Sequence, residues 1–377
     1  MKPLRVWAIA RKETIHIIRD PRSLAMGIAI PMLLLLLFGY ALTLDVDNVP
    51  LVVWDQSRSQ ESRELVSRFD GSRYFSIRGH VRSYQELERA IDSSEALAAL
   101  VIPTDFAGQV ESGRAATIQL IVDGSDSNTA TIAMGYADVV ARVYSQGVAV
   151  QQIERAGGLS LEQSVSLQPR VWFNADMESK NYIIPGLIAV IMMVIAALLT
   201  SLTIAREWER GTMEQLISTP IKVPELIFGK LLPYFAIGML DVLLAVVMGE
   251  FLFQVPLRGS PALLFGMAAI FLAGALSLGM VVSIVTKSQL LASQLAMVLT
   301  FLPSFLLSGF MYAIGNMPKP IQLVTYLIPS RYFVTLLKGI YLKGVGLEIL
   351  ALEAGLLTAF GAVMMLVANA KFKKKLV

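Results

Sequence analysis

Six apolar runs decide what this chain can fold into. They cover residues 24–44, 182–204, 228–253, 261–285, 290–312 and 349–368. A helix rises about 1.5 Å per residue, so roughly 20 apolar residues cross a bilayer core. Each run is long enough. Only 16% of residues are charged, well below the roughly 25% of soluble domains. The expected fold class is membrane all-α, with six transmembrane helices and an α/β extracytoplasmic domain inserted between the first and second spans. The first run exceeds the core of a secretory leader, so it reads as a retained span.

Lys and Arg near the span ends set the orientation. One side of the bilayer receives Lys2, Arg5, Arg11, Lys12, Arg19 and Arg22, then Arg206, Arg210, Lys222 and Lys230, then Lys287, and the tail's Lys371, Lys373, Lys374 and Lys375. The short loops of the other side hold Arg258, Lys319, Arg331, Lys338 and Lys343. The bias places both termini in the cytoplasm. A net charge of +3 would direct a soluble chain toward nucleic acid. Here the cations flank apolar runs, so the membrane surface is the expected partner and nucleic acid is not.

Residues 1–23 repeat Leu4, Trp7, Ala8, Arg11, Ile15 and Ile18 at helical spacing. That suits an interfacial amphipathic helix, ended at Asp20 because a residue before proline avoids the α region. A plain topology anchor is the alternative. Residues 45–181 have the composition of a soluble domain. Short strands are expected at 51–54, 74–77, 98–102 and 117–122. Helices are expected at 104–110 and 127–154, and after a Ser83–Glu86 capping box. Such alternation implies a mixed α/β fold. Asp123 and Asp126 stand in a turn before the long helix, as a cap or a cation site. Residues 205–227 form a cytoplasmic loop, and 369–377 a basic tail. The outer stretch 313–348 is broken by Pro318, Pro320 and Pro329 yet apolar enough to re-enter the membrane. Irregular backbone at that depth must line protein or a cavity, so an outer gate is expected there.

The chain holds no cysteine and two histidines, His16 and His80. Disulfides and thiolate metal sites are excluded, and no metal site is expected. Gly229-Lys230 lacks the rest of a P-loop. No Ser-His-Asp set, GxSxG or HExxH occurs. No catalytic site is expected in this chain.

The second span ends in the charged segment 205–220, AREWERGTMEQLISTP. Gly211 permits a sharp exit from the membrane helix, and Thr212 with Gln215 reads as a capping box for a short helix. Leu216 and Ile217 would be exposed unless something covers them. Glu207, Glu209, Arg210, Gly211, Thr212, Glu214, Leu216, Ile217, Thr219 and Pro220 together resemble the cytoplasmic loop of the type-2 family of ABC exporter permeases. Glu225-Leu226 and Gly229-Lys230 extend the likeness. So do Lys12-Glu13, Arg19-Asp20-Pro21, Ile102-Pro103, Asp105-Phe106, Asp123-Gly124, Leu307-Ser308-Gly309-Phe310, Pro329 and Arg331-Tyr332-Phe333. The likeness covers essentially the whole chain and is nearest the bacterial multidrug permeases with a large outer loop. Ala313-Ile314 departs from it, standing where many members place a proline.

The resemblance implies a permease subunit that carries no cofactor itself and works with a cytosolic ABC ATPase holding ATP and magnesium. It makes 205–220 the coupling segment, residues around Lys12, Glu13, Arg19, Asp20 and Pro21 an accessory helix, and Ser308, Gly309, Phe310, Pro329 and Arg331 the outer gate. A second copy or a paralogue would complete the membrane part, and a periplasmic adaptor is a candidate partner of the outer domain. The expected cargo is amphiphilic compounds such as drugs, or alternatively a lipid or polysaccharide. Asp241, near the centre of the third span, costs about 2.5–3.5 kcal/mol if it faces lipid. It is expected to face the bundle, as a structural hydrogen-bond partner or as a substrate or proton contact. An ion-driven transporter would show inverted repeats and several buried charges; no repeat is clear. An anchored receptor would need only one or two spans.

Overall fold

Apolar helices too long for water and a patch of short alternating strands separate along this chain into two compact units. One comprises Met1–Thr43 and Arg170–Val377, the other Leu44–Pro169. The computed structural model describes residues 1–42, 48–155, 172–174 and 178–372, apart from the side chains at 22, 23, 26, 128 and 151–155. The end of the expected first span (43–44), the tail from 373 with Lys373, Lys374 and Lys375, and the outer-domain residues 45–47, 156–171 and 175–177 lie outside the described residues.

The helical unit starts with α1 (Pro3–Arg19), which buries Ile9, Ala10, Glu13 and Ile17 and leaves Leu4, Trp7, Ile15 and Ile18 exposed. Asp20 takes extended backbone and ends it, as Pro21 requires. The chain continues through α2 (Pro21–Leu24), a π turn at Ala25–Ala29 and α3 (Ile30–Ala41). The π turn precedes Pro31, which has no N–H to give to the carbonyl four residues back.

Five helices are long and apolar enough to cross a membrane: Ser179–Glu209, Val223–Leu252, Pro261–Thr286, Gln289–Leu307 and Leu347–Lys371. The helix at Gly27–Ala41 is apolar but shorter. The first of the five, α8 (Ser179–Glu209), is buried along almost its whole length. Around it stand α10 (Val223–Val247), α11 (Pro261–Thr286), α12 (Gln289–Leu307) and α3. At Gly279 a Cβ would overlap Ala197 O and Thr200 Oγ1, so glycine lets α11 cross α8 closely. Thr200 Oγ1 donates to Leu276 O at 2.8 Å. Ser283 Oγ accepts from the N–H groups of Ile204 and Ala205 at 3.0 and 2.9 Å. Residues 313–348 hold α13 (Lys319–Thr325) and α14 (Pro329–Lys338), and α15 (Leu347–Lys371) packs on α11 and α14.

In the other unit the strand order is β2-β1-β3-β4. β1 (Val49–Asp55) is parallel to β2 (Phe75–His80) and β3 (Ala98–Ile102); β4 (Gln119–Val122) runs antiparallel to β3. Helices α4 (Gln60–Asp70) and α5 (Tyr84–Asp92) make the two crossovers, and α6 (Phe106–Glu111) and α7 (Ser127–Arg155) follow β3 and β4. Side chains alternate across a strand. Leu51 and Val53 accordingly join Phe69, Phe106 and Tyr144 on one face, while Val52 joins Leu87 and Ala90 on the other. A largely parallel sheet needs both faces covered, which explains the all-buried run of β3.

Ser83 Oγ accepts from Glu86 N, but the Glu86 carboxylate reaches Arg82 N at 2.7 Å, one residue before the expected cap. Asp123 accepts from Ser125 N at 2.9 Å and Asp126 accepts from Thr129 Oγ1, closing the turn and capping α7. The Ser125 hydrogen bonds hold the Asp123 carboxyl below its ordinary value.

Candidate functional site

At its base α8 runs out of apolar residues and meets three other elements through charge. The chain turns at Gly211, whose φ of +70° suits a residue without Cβ. It then forms α9 (Thr212–Ser218). Thr212 is one place too late to cap this helix. Its hydroxyl donates instead to Glu207 Oε2, so the expected capping box with Gln215 does not form. Leu216 and Ile217 are half-buried against Val223, Leu226 and Phe372. The face that α9 turns outward is Glu214, Gln215 and Ser218.

Beneath that helix lies a buried ion cluster. Lys230, 1% exposed on α10, puts its ammonium against Glu13 of α1 and 3.1 Å from Glu207 of α8. Lys12 Nζ donates to the same Glu207 oxygen at 2.7 Å. Two cations for two carboxylates make the burial tolerable; either carboxylate alone would carry a large desolvation cost. The ends of the same helices are tied in parallel. Arg206 lies 3.6 Å from Asp20. Glu225, fully buried at the start of α10, accepts from Lys222 N at 3.0 Å and from Lys2 N at 2.8 Å, with Arg5 3.6 Å away. Glu209 accepts from Gln289 N at 2.8 Å and so caps α12. Pro220 O accepts from Arg5. Gly229 allows α1 this close: a Cβ there would stand 2.7 Å from Ile9 Cβ.

A second polar group occupies the opposite end of the same unit. Ser308 and Phe310 are buried, and Gly309 between them has φ +79°. The Gly309 carbonyl accepts from Tyr182 OH at 3.0 Å and from Lys338 Nζ at 2.9 Å. The Lys338 ammonium also sits 3.3 Å from the Tyr182 ring centroid, within cation–π range. Pro329 starts α14, where Ser330 bonds Ser304 at 2.9 Å, and Arg331 donates to Thr325 and lies over the Tyr326 ring. Asp241, on α10 between these groups in sequence, is 1% exposed, and its Oδ1 has no hydrogen-bond partner among the described residues.

The sequence profile described as ABC-2 family transporter protein matches residues 21–369. The chain belongs to the ABC-2 transporter family. Similar proteins are named as transport permeases. The "Probable multidrug ABC transporter permease YbhS" of Escherichia coli strain K12 is 41% identical over 343 residues, covering 90% of this chain and 89% of that protein. The "Probable multidrug ABC transporter permease YbhR" of the same strain is 30% identical over 371 residues, covering 98% and 99%. Its "Inner membrane transport permease YhhJ" is 26% identical over 372 residues, covering 95% and 96%. The chain is thus a multi-pass membrane permease of an ABC-2 type transporter, and membership implies a partner ATP-binding subunit.

For this ABC-2 permease the structure brings Lys12, Glu13 and Asp20 of the N-terminal helix against Arg206 and Glu207, while Arg19 stays exposed. It gathers Ser308, Gly309 and Phe310 beside α8, and Pro329 and Arg331 on the neighbouring α14. Glu207 faces inward, so its charge is committed within the chain. Sequence reasoning placed Glu225 and Lys230 in the family-like segment without giving them partners, and gave Tyr182 and Lys338 no role in a site. The available signal was a charge inside an apolar helix, which must find a partner.

Proposed function

We propose that this permease couples ATP binding and hydrolysis by separate cytosolic ATPase subunits to efflux of amphiphilic compounds across the bacterial inner membrane. One observation carries the reading: a short helix, α9, is held just beyond α8 with Glu214, Gln215 and Ser218 turned outward. The ion cluster behind it joins α1, α8 and α10. A push on α9 would reach all three helices at once.

In this reading both termini are cytoplasmic, the outer α/β unit is extracytoplasmic, and the Gly309 region is the gate at the outer mouth. The span at 24–44 is the sixth, and two permease chains assemble with two ATPases. ATP and magnesium sit on the partner. A periplasmic adaptor would dock on the outer unit. The drug-like cargo follows the names of YbhS and YbhR.

The test is co-purification with a cytosolic ABC ATPase co-expressed from the same organism, followed by drug efflux from cells. Glu214→Arg and Ser218→Arg are expected to abolish association while the permease remains folded. Retention of both association and efflux in both variants would overturn the coupling assignment. Asp241 is the one observation favouring an ion-driven cycle. That reading requires efflux to persist when the ATPase Walker lysine is removed.

A further inference from the structure

A cavity of about 140 Å³ opens beside the ion cluster, lined by Lys12, Glu13, His16, Thr203, Arg206, Glu207, Arg210, Thr212, Lys230 and Tyr234. One water needs roughly 10–15 Å³ of such space, so a phosphate group fits together with several waters. The internal pairing leaves a remainder. Lys12 and Lys230 are matched by Glu13 and Glu207, and Arg206 by Asp20. Arg210 has no ion pair, and His16 and the Tyr234 hydroxyl have no hydrogen bond among the described residues. Tyr234 is itself only 4% exposed. A buried phenol normally finds a partner, and here its open side is the cavity.

The three groups left over can each donate, and Arg210, itself exposed, carries a positive charge with no ion pair among the described residues. That set matches a monoanionic oxyanion, because arginine forks onto phosphate oxygens and neutral donors complete the shell. We propose that this cavity binds a phosphodiester oxyanion through Arg210, His16 and Tyr234. α1 walls the cavity and turns Leu4, Trp7, Ile15 and Ile18 outward. A helix of that kind lies at headgroup depth. The phosphodiester of an inner-leaflet phospholipid is therefore the favoured source, a placement that rests on the orientation given under Proposed function. The binding itself does not depend on that orientation or on any ATPase.

The test uses the full-length permease, delipidated in neutral detergent. Phosphatidylglycerol, diacylglycerol with the same tails, or inorganic phosphate is added, and retained ligand is read by native mass spectrometry beside the thermal midpoint. The wild type is expected to hold phosphatidylglycerol and not diacylglycerol. Arg210→Gln and Tyr234→Phe should each weaken retention about tenfold, the size of one hydrogen bond to a charged group. Tyr234→Phe keeps the ring, so it reads the site even where Arg210→Gln disturbs folding. A full shift from inorganic phosphate alone, lost in both variants, supports the same site with the free ion as ligand. Equal retention of phosphatidylglycerol by wild type and both variants, or equal retention of diacylglycerol, overturns the proposal.

Discussion

The Lys230 ammonium lies 3.1 Å from the Glu207 carboxylate, joining α10 to α8 just past the end of the second apolar run, where both groups are buried. Lys230→Met would leave Glu13 without its cation. Breaking a buried pair costs about 3–5 kcal/mol, so the thermal midpoint in detergent is expected to fall sharply. Adding Glu13→Gln to Lys230→Met is expected to recover much of the loss. A double variant no more stable than the single would show that the cluster does not depend on charge balance.

Gly229 touches Ile9 of α1, and a Cβ would come within 2.7 Å. Gly229→Val is expected to push α1 away at a cost of about 1–3 kcal/mol. Limited proteolysis should then cut within residues 1–20 faster than in the wild type, while cleavage elsewhere stays unchanged.

The absence of cysteine makes the Ser308–Phe310 region open to clean labelling. Ser308 is 1% exposed, so Ser308→Cys should react slowly with a membrane-impermeant maleimide. Lys338→Met removes one of the two donors to the Gly309 carbonyl. Combined with Ser308→Cys it is expected to raise the labelling rate severalfold.

Asp241 separates two roles by one substitution. Asp241→Asn replaces the carboxyl, one oxygen of which has no described partner, by a neutral amide of the same shape, so stability should hold. Loss of efflux in that stable variant would mark a transport contact. Unchanged efflux would mark a structural residue.

The turn at Asp123 has a pH signature. Its carboxyl is held below the ordinary value by the Ser125 hydrogen bonds. The contribution is therefore present in full above the unfolded carboxylate value of about 4 and lost as pH falls through the lower folded value. Amide exchange at Ser125, normalised for intrinsic rate, should lose protection on acidification. In Asp123→Asn it should show no such step.

How much could be seen beforehand follows from range. Five of the six apolar runs, each now a helix long enough to cross a membrane, and the strands around Leu51, Ile77 and Leu100 were legible because period and length are local. Gly211 was legible because a helix followed by glycine and a polar run is a stop and a turn. Thr212 was misjudged by a single position: Gly211 took the cap and left the threonine to Glu207. Leu216 and Ile217 turned toward Leu226 of their own chain, a facing that local pattern does not specify. The Lys230–Glu13 pair spans 217 positions. Only the packing of α1 on α10 brings the two together.

One helix carries both polar groups. Gly186 of α8 abuts Phe310 beside Gly309, and Glu207 of the same helix sits in the ion cluster. At about 1.5 Å per residue these contacts stand roughly 30 Å apart on a rod clamped on nearly every side. Such a rod needs no chain of intermediaries. Any displacement of one end is shared with every helix packed along it, so the two polar groups belong to one body.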